Sequence, residues 1–388
     1  MTACMVGWSH SRFGKLEDND LENLVVTAAT DAIRDAGLEP TDIDEIFLGT
    51  FNGGMDAQDF GASLVLQADE RMRFTPATRV ENACATGSAA IYEGINAIAA
   101  KRARFVLAVG VEKMTTLSSR EVGDVLVKCS YVRDEKEACG SFPGIFGRIT
   151  ELYFQRYGDQ SDALARIAAK NHRNGVVNPL AHMQKDFGYD FCRQESDKNP
   201  YVAGPLKRTD CSMISDGAAA VVLTDTQTAL SMGKAVAFRG MAHVNDLLPM
   251  NKRDIVAFEG PQEAWRRALA DANLSLDDLS CVETHDCFTS AELLQYEAMG
   301  LTAAGEGARA IMEGWTEKDG RLPVNASGGL KAKGHPIGAT GVSMHVMAAL
   351  QVTGQAKEMQ VKDARLAGVF NMGGAAVANY CSILEPLR

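Results

Sequence analysis

The sequence predicts an α/β protein built from two duplicated halves, and three observations support that prediction. Patterns typical of buried strands alternate with helical patterns over residues 1–117 and again after residue 206, as in sheets that are covered by helices. Short segments of the first half recur in the second half in the same order. Residues 118–206 lack this alternation, which indicates an insertion.

The first half comprises residues 1–117 and 207–234. Apolar residues at helical spacing predict its helix, and β-branched or continuous apolar runs predict its strands. The run 104–111 is apolar throughout, as expected of a strand buried on both faces. The predicted elements are a helix over 23–36, strands over 1–8, 43–48, 75–80 and 104–111, and an edge or returning strand over 216–224.

The insertion, residues 118–206, is rich in Tyr, Phe and charged residues and contains no run typical of a central strand. We expect it to fold as a loop domain over one face of the sheet. The second half, residues 235–388, opens with a strand over 234–244 and has a further strand over 279–282.

Three sequence matches relate the halves. Segment 32–38 aligns with 268–274, segment 82–84 with 325–327, and segment 105–111 with 366–370. Matches in one order indicate duplication. Equivalent strand ends then face a shared cleft, so five loops are expected to converge there: 49–55, 84–87, 285–289, 327–340 and 371–375.

The composition of the 388 residues, with 46% hydrophobic and 23% charged residues, is typical of a globular protein. A net charge of −11 argues against a nucleic-acid partner, and the absence of an apolar run of about 20 residues argues against a membrane span. Nine cysteines without metal-ligand spacing favour reduced thiols, and neither terminus resembles a secretory or peroxisomal signal. We therefore expect a cytoplasmic location.

The first candidate site residue is Cys84, which lies between the predicted strand 75–80 and a small-residue helix that begins near Gly87. A helix N-terminus favours a thiolate, which is the nucleophilic form of cysteine. The small neighbours Ala83 and Ala85 leave room for a substrate carbonyl. The alternative is that Cys84 is a small buried hydrophobic residue.

The second candidate is His335, which lies in the glycine-containing segment 334–341. Glycines and Pro336 permit a defined loop that holds the imidazole near another group. A neutral imidazole beside Cys84 could remove its proton. An ordinary loop histidine is the alternative.

The third candidate is the segment containing His285, Asp286 and Cys287, which directly follows the predicted strand 279–282. Functional groups gather at the carboxyl ends of strands in α/β proteins. A metal site is disfavoured because adjacent ligands point apart and no second cluster completes the coordination. We therefore predict no metal.

Gly373 lies in a Gly-Gly segment directly after a buried strand. Its backbone N–H could stabilise an oxyanion, although a tight turn is the alternative. Several basic residues lie near these loops in sequence and are either phosphate contacts or solvated surface: Lys207, Arg208, Arg321, Lys331 and Lys333.

Three segments together, 82–88, 285–288 and 334–341, resemble the thiolase superfamily. The His-Asp-Cys-Phe block at 285–288 is similar to the sterol-carrier-protein type, as is segment 170–179. The commoner family pattern carries an acid/base cysteine near the C-terminus, where this chain has Asn371-Met372-Gly373. The resemblance implies that Cys287 replaces that thiol.

The resemblance implies a thiolase fold, a five-layered αβαβα arrangement with an inserted loop domain. It also implies an acyltransferase of the acetyl-CoA C-acyltransferase or acetyl-CoA acetyltransferase kind, which links 3-ketoacyl-CoA cleavage and the reverse Claisen condensation through an acyl-enzyme on Cys84. His335 would be the base and Cys287 the acid/base. His285 and His335 would bind the enolate oxygen, and the N–H groups of Cys84 and Gly373 the thioester oxyanion.

Coenzyme A and acyl-CoA would be substrates, with no permanently bound cofactor, and the CoA contacts are predicted at Lys207, Arg208, Ser327 and Lys331. A homodimer or dimer of dimers acting in lipid metabolism, including fatty acid β-oxidation, is implied. Two alternatives stay open: a ketosynthase-like condensing enzyme, and a non-catalytic subunit that binds acyl-CoA or sterol. The acyl chain is left open by the sequence.

Overall fold

Strands and helices alternate along both halves of the chain in the computed structural model. The structure describes residues 3–387. Residues 1 and 2 of the predicted first half and residue 388 of the predicted second half lie outside the described residues. The strands are β1 Ala3–His10, β2 Glu45–Gly49, β3 Ala77–Val80, β4 Phe105–Glu112, β5 Tyr201–Ala203, β6 Leu206–Lys207, β7 Gly217–Asp225, β8 Val236–Asn245, β9 Cys281–Thr284, β10 Ala367–Gly373 and β11 Ala378–Pro386. The helices are α1 Leu21–Asp35, α2 Gly61–Leu64, α3 Thr86–Ala99, α4 Ser119–Leu126, α5 Val132–Cys139, α6 Phe142–Tyr157, α7 Ser161–Val176, α8 Gly188–Arg193, α9 Thr226–Ala229, α10 Glu259–Ala272, α11 Thr289–Ala298, α12 Gly307–Met312, α13 Gly329–Lys333 and α14 Ile337–Val352.

The large sheet has the strand order β3-β2-β4-β7-β1-β8-β11-β10-β9. The two halves of this order mirror each other, and they join where β1 pairs with β8 through Cys4 and Met5. Val324 forms a parallel bridge with Val282 of β9. This bridge corresponds in the second half to the parallel pairing of β3 with β2 in the first half. The expected duplication is thus confirmed. Of the two alternatives for strand 216–224, the returning strand is confirmed and the edge position is wrong, because β7 lies between β4 and β1 and runs antiparallel to both.

Five layers follow from the helix contacts. Helix α1 packs on β1, β4 and β7, and α10 packs on β8 and β11. Helices α3 and α14 lie between the two sets of strands and pack on each other. Helix α3 also packs on β2 and β4 of the first half, and α14 also packs on β9, β10 and β11 of the second half. Every residue of α14 except Leu350 is buried, which explains why small and apolar residues predominate in this helix. The predicted five-layered thiolase fold is confirmed.

The match between segments 32–38 and 268–274 reflects one packing arrangement used twice. A Cβ atom on Gly7 of β1 would lie 2.6 Å from the Cβ of Ala36, and one on Gly240 of β8 would lie 2.8 Å from the Cβ of Ala272. Only glycine lets helix and strand approach this closely. The repeated small residues therefore belong to the helix–strand contact of each half.

The insertion consists mainly of α4 to α8, and α7 packs against α11 and α13 of the second half. It covers the cleft between the halves, where Leu126 and Phe142 line the same cavity as Cys84. Within residues 3–387, no helix combines the length and apolar character needed to cross a membrane.

Candidate active site

Cys84 lies in the turn between the end of β3 at Val80 and the start of α3 at Thr86. Ala83 adopts a left-handed backbone with φ of 49°, and the Asn82 N–H donates to the Thr86 hydroxyl at 2.7 Å. The turn brings Cys84 to the cavity, where its side chain is almost fully buried. The predicted strand–Cys–helix arrangement is confirmed.

The structure brings Cys84, His285 and His335 together. The Cys84 Sγ and one ring nitrogen of each histidine lie within 4.8 Å of one another. The two imidazole rings are nearly perpendicular, at 86°, with centroids 5.1 Å apart. A thiol and imidazoles gathered in one buried site are the groups that an activated cysteine nucleophile requires.

The pKa of the Cys84 thiol is held well below its usual value, mainly by a hydrogen bond from the Cys129 thiol. Hydrogen bonding between Cys84 and the two histidines, His285 and His335, acts in the same direction, whereas burial opposes it. The sequence-based prediction rests on the helix N-terminus alone and does not single out Cys129. No motif surrounds Cys129 in the insertion, so only its position in space reveals this contact.

Cys287 lines the same cavity and is buried. Burial, and then the charges of Cys84 and Asp286, raise the pKa of the Cys287 thiol well above its usual value. The two thiols therefore differ: Cys84 loses its proton more readily than an ordinary thiol, and Cys287 less readily. Opposed pKa shifts in neighbouring groups are typical of a nucleophile beside an acid.

His285 is held from two sides. The Gln295 side-chain amide donates to the His285 carbonyl at 2.7 Å, and its oxygen accepts from the His285 N–H at 3.2 Å. On the ring, Nδ1 lies 2.9 Å from Nδ2 of Asn371. Burial lowers the pKa of His285 to about 4, so the imidazole is neutral near pH 7.

His335 lies in a loop shaped by Gly334, whose φ of 113° is favourable only for glycine. Its Nδ1 lies 2.7 Å from the Thr340 hydroxyl. The buried carboxylate of Glu112 accepts hydrogen bonds from the N–H groups of Gly338, Phe51 and Asn52. Glu112 thus joins two of the five loops, and the expected convergence around the cleft is confirmed.

Gly373, at the end of β10, lies directly against the Cys84 turn. A Cβ atom at this position would lie 2.3 Å from the Asn82 carbonyl oxygen, so no other residue fits without displacement. The guanidinium of Arg253 supports the following turn by donating to the carbonyls of Ala375 at 2.9 Å and Ala376 at 3.2 Å.

Asp286 does not face the cavity with its neighbours. Its carboxylate accepts from the N–H of Leu330 at 2.6 Å, from the N–H of Lys331 at 3.2 Å and from the Asn171 amide at 2.7 Å. It therefore holds the start of α13 against the β9 end. The alternative metal site of His285, Asp286 and Cys287 does not form.

The four predicted CoA contacts divide into one exposed and three buried residues. Arg208 lines the cavity and is exposed. Lys207 is buried with its Nζ 3.3 Å from Asp210, and the Ser327 hydroxyl donates to Glu283 at 2.6 Å. Lys331 is also buried. The structure therefore brings only Arg208 of the four to the cavity.

The cavity has a volume of about 630 Å³, which is within the usual range for small-molecule sites. Most of its lining is apolar and comes from both halves and the insertion. The apolar and sulfur-containing lining residues are Met114, Leu126, Phe142, Pro143, Met183, Val202, Met213, Ile214, Phe288 and Ile337 together with the four cysteines Cys84, Cys129, Cys211 and Cys287.

Comparisons with known proteins agree with this fold and cavity. Residues 3–227 match the family model described as thiolase, N-terminal domain, and residues 242–386 match that described as thiolase C-terminal domain-like. The chain belongs to the thiolase family. An acetyl-CoA acetyltransferase of Methanothermobacter thermautotrophicus is 34% identical over 95% of this chain and 96% of its own.

Three further matches have lower sequence identity. Human sterol carrier protein 2 is 30% identical over 96% of this chain and 70% of its own. Among solved structures, the Ltp2-ChsH2(DUF35) aldolase has a TM-score of 0.86 at 22% identity, covering 100% of this chain and 98% of that one. Human mitochondrial 3-ketoacyl-CoA thiolase in complex with CoA has a TM-score of 0.74 at 18% identity, covering 100% of this chain and 98% of that one. These structural similarities support the thiolase fold.

Proposed function

We propose that the protein is an acyltransferase that moves an acyl group between a 3-ketoacyl-CoA and CoA through an acyl-enzyme on Cys84. The observation that carries this proposal is the pair of unlike thiols in one cavity, with the pKa of Cys84 lowered and that of Cys287 raised. The sequence similarity to an acetyl-CoA acetyltransferase supports the same class of reaction.

In the cleavage direction, His335 takes the Cys84 proton and the sulfur attacks the keto carbon of the substrate. The bond between the α-carbon and that carbon breaks, leaving the shortened acyl group on Cys84 and an acetyl-CoA enolate. Cys287 protonates the enolate carbon and becomes a thiolate. That thiolate takes the proton of a second CoA, whose sulfur attacks the thioester carbonyl of the acyl-enzyme. The acyl group passes to CoA, and Cys84 leaves and takes back its proton from His335.

Two sets of donors stabilise oxygen charge in this scheme. His285 and His335 bind the enolate oxygen, and the backbone N–H groups of Cys84 and Gly373 bind the thioester oxyanion. One such donor contributes about 2.7–4 kcal/mol in a transition state. The closeness of Gly373 to the Cys84 turn supports its part in this site.

The substrates are acyl-CoA and CoA, and no permanent cofactor or metal takes part. Arg208 is the basic residue at the cavity that we assign to the CoA phosphates. The apolar lining, with Phe142 from the insertion and Phe288 from the second half, suits the hydrocarbon part of the acyl group. We place the reaction in cytoplasmic lipid metabolism, with β-oxidation as the cleavage direction.

We also propose a homodimer, formed at the edge strand β3. Phe60 and Phe74 flank this edge and are 82% and 83% exposed, which is unusual for side chains of this size. A second copy would cover both the strand edge and these rings. Replacement of both phenylalanines by Asp should convert a dimer into a monomer in light scattering; a monomeric wild-type protein would contradict the proposal.

The test of the acyl transfer is CoA-dependent cleavage of a panel of 3-ketoacyl-CoAs, from acetoacetyl-CoA to steroid-sized chains, with intact-mass detection of the acyl group. We expect cleavage, and an adduct that is absent in Cys84→Ala and present in the matched control Cys281→Ala, which alters a buried thiol of β9. Absence of both turnover and adduct would favour the non-catalytic binding alternative. Decarboxylation of a malonyl donor without thiolysis would favour the ketosynthase-like one.

A further inference from the structure

Each of the two site histidines uses its Nδ1 atom in a hydrogen bond with a residue that has no part in the acyl-transfer scheme. Asn371 contacts His285, and Thr340 contacts His335. A neutral imidazole has one N–H and one lone pair, so the partner of Nδ1 decides what Nε2 can do. The two partners have different hydrogen-bonding possibilities.

The orientation of the Asn371 amide follows from its other contacts. Its Nδ2 lies 3.1 Å from the Cys84 carbonyl oxygen, which can only accept, and its Oδ1 accepts from the Ser88 hydroxyl at 2.8 Å. The reversed amide would place two oxygens against each other at Cys84. Nδ2 therefore donates to His285 Nδ1 at 2.9 Å, and the ring proton of neutral His285 lies on Nε2.

The Thr340 hydroxyl has the opposite effect on His335. Its single proton is donated to the Pro336 carbonyl oxygen at 2.8 Å. The Thr340 oxygen is then left to accept from His335 Nδ1 at 2.7 Å. The ring proton of neutral His335 therefore lies on Nδ1, and Nε2 carries the lone pair.

We propose that Asn371 and Thr340 are positioning residues that hold His285 and His335 in opposite tautomers, so that His285 presents an N–H donor to the cavity and His335 presents a base. The catalytic consequence rests on the proposed acyl transfer, but the tautomers do not. Only His335 can then take the Cys84 proton, and only His285 offers a donor to substrate oxygen before any proton has moved. Each histidine begins the reaction in the form that its task requires.

The same arrangement bears on metal binding. The Cys84 thiol and the two imidazoles are close enough to be ligands of one ion. A metal ligand must offer a lone pair, however, and His285 Nε2 carries a proton while Asn371 occupies Nδ1. The tautomers therefore keep this cluster available for acyl chemistry and unfavourable for a cation.

The direct test is the ¹⁵N spectrum of the wild-type full chain labelled at its seven histidines, recorded near pH 7. The His285 and His335 signals are assigned by their loss in His285→Gln and His335→Gln. We expect a proton on Nε2 of His285 and on Nδ1 of His335. The same tautomer at both residues, or the reverse pair, would overturn the proposal whether or not the protein cleaves any substrate.

Variants then test the consequence for catalysis. Asn371→Asp has the same shape but presents acceptors to His285 Nδ1, so the proton should move to Nδ1 and the cavity should lose a donor. We expect kcat to fall about 10²–10³-fold, with little change in KM because Asn371 is buried behind the histidine. The control is Asn379→Asp, which places the same carboxylate on β11 against the Ala376 and Val377 carbonyls.

For Thr340, the pair Thr340→Ser and Thr340→Val separates the hydroxyl from the shape of the side chain. The serine variant should keep the His335 tautomer and the pH profile of Cys84 alkylation, and the valine variant should lose both.

Equal falls in kcat in Asn371→Asp and in its control Asn379→Asp, with unchanged histidine signals, would mean a purely structural effect and would overturn the proposal. A wild-type protein with the expected tautomers but no cleavage would instead contradict the acyl-transfer function.

Discussion

At the scale of single residues, Cys129 changes the explanation of why the pKa of Cys84 is lowered. Its thiol, from the insertion, is the largest cause of the lowered pKa of Cys84. The same contact, together with burial, raises the pKa of Cys129. Cys129 therefore acts as a hydrogen-bond donor to the thiolate, whereas the helix N-terminus alone was the basis of the sequence prediction.

Replacement of Cys129 by Ala should raise the pKa of Cys84. We expect the midpoint of the pH profile for Cys84 alkylation to move upward, with slower alkylation below that midpoint because less thiolate is present. Mass spectrometry of the alkylated protein measures this. The matched control is Cys139→Ala, in α5 of the same insertion; an unchanged profile in Cys129→Ala would show that the two thiols do not interact in solution.

Cys287→Ala should separate acyl transfer from carbon–carbon chemistry. The raised pKa of Cys287 keeps its proton available for the enolate carbon, so its loss should abolish cleavage of a 3-ketoacyl-CoA. Formation of an acyl-enzyme from a simple acyl-CoA should continue, since that step uses Cys84 and His335. Intact mass and thiolysis assays on one preparation measure both, and normal thiolysis by this variant would place the acid/base function elsewhere.

At the scale of elements, the end of β10 is fitted to the turn before α3. Gly373 approaches the Asn82 carbonyl more closely than any side chain allows. Asn371, two residues earlier on the same strand, donates to the Cys84 carbonyl. One strand end thus holds the Cys84 turn through a side-chain hydrogen bond and a close backbone contact.

Gly373→Ala should displace this strand end from the Cys84 turn. A Cβ at 2.3 Å from the Asn82 oxygen must be relieved by movement, and loss of one aligned donor lowers kcat about 10²–10³-fold. Steady-state kinetics and thermal unfolding together check this. The control is Gly233→Ala, where a Cβ meets no atom within 4 Å; equal kinetics in both variants would remove Gly373 from the site.

At the scale of the whole molecule, burial of histidines makes stability depend on pH. Burial is the largest cause of the lowered pKa of His10 to about 3, of His172 to about 2 and of His345 to about 4. Within residues 3–387, neither ring nitrogen of His172 has a hydrogen-bond partner. His172 therefore costs stability both as an unpaired polar group and as a group that cannot take up a proton in the folded state.

His172→Leu should raise the free energy of unfolding by about 1–3 kcal/mol at pH 7, because an unpaired buried polar group is removed. As pH falls below about 6.5, the unfolded wild-type chain binds a proton at His172 that the folded chain does not. The stability of the wild type is thereby lowered, so the advantage of the variant should grow by about 1.4 kcal/mol per pH unit.

Urea denaturation at pH 7 and pH 5 measures this difference. His172→Gln is the matched control, since it removes the titration but keeps a buried polar group. A constant difference between His172→Leu and the wild type across the two pH values would show that His172 titrates normally. Comparing variants is necessary because the buried carboxyls of Glu112 and Glu283, whose pKa values burial raises, contribute with the opposite sign.

The sequence alone determined the alternation of strands and helices, the duplication, the place of Cys84 before a helix and the convergence of the loops. These features are encoded locally: periodicity of apolar residues decides the element, and a repeated segment decides a repeated packing contact. The pairing of Gly7 with Ala36 and of Gly240 with Ala272 shows how directly the matched segments become matched structure.

Only the tertiary structure decided which groups meet around Cys84. Asn371 reaches the Cys84 carbonyl across 287 positions of sequence, and Cys129 arrives from an insertion without a recognisable motif. The burial of Lys207 and Lys331, which the sequence offered as CoA contacts, was likewise decided by packing. Hydrogen-bond partners, burial and therefore pKa values depend on segments distant in the chain, and local sequence patterns do not determine which of those segments come together.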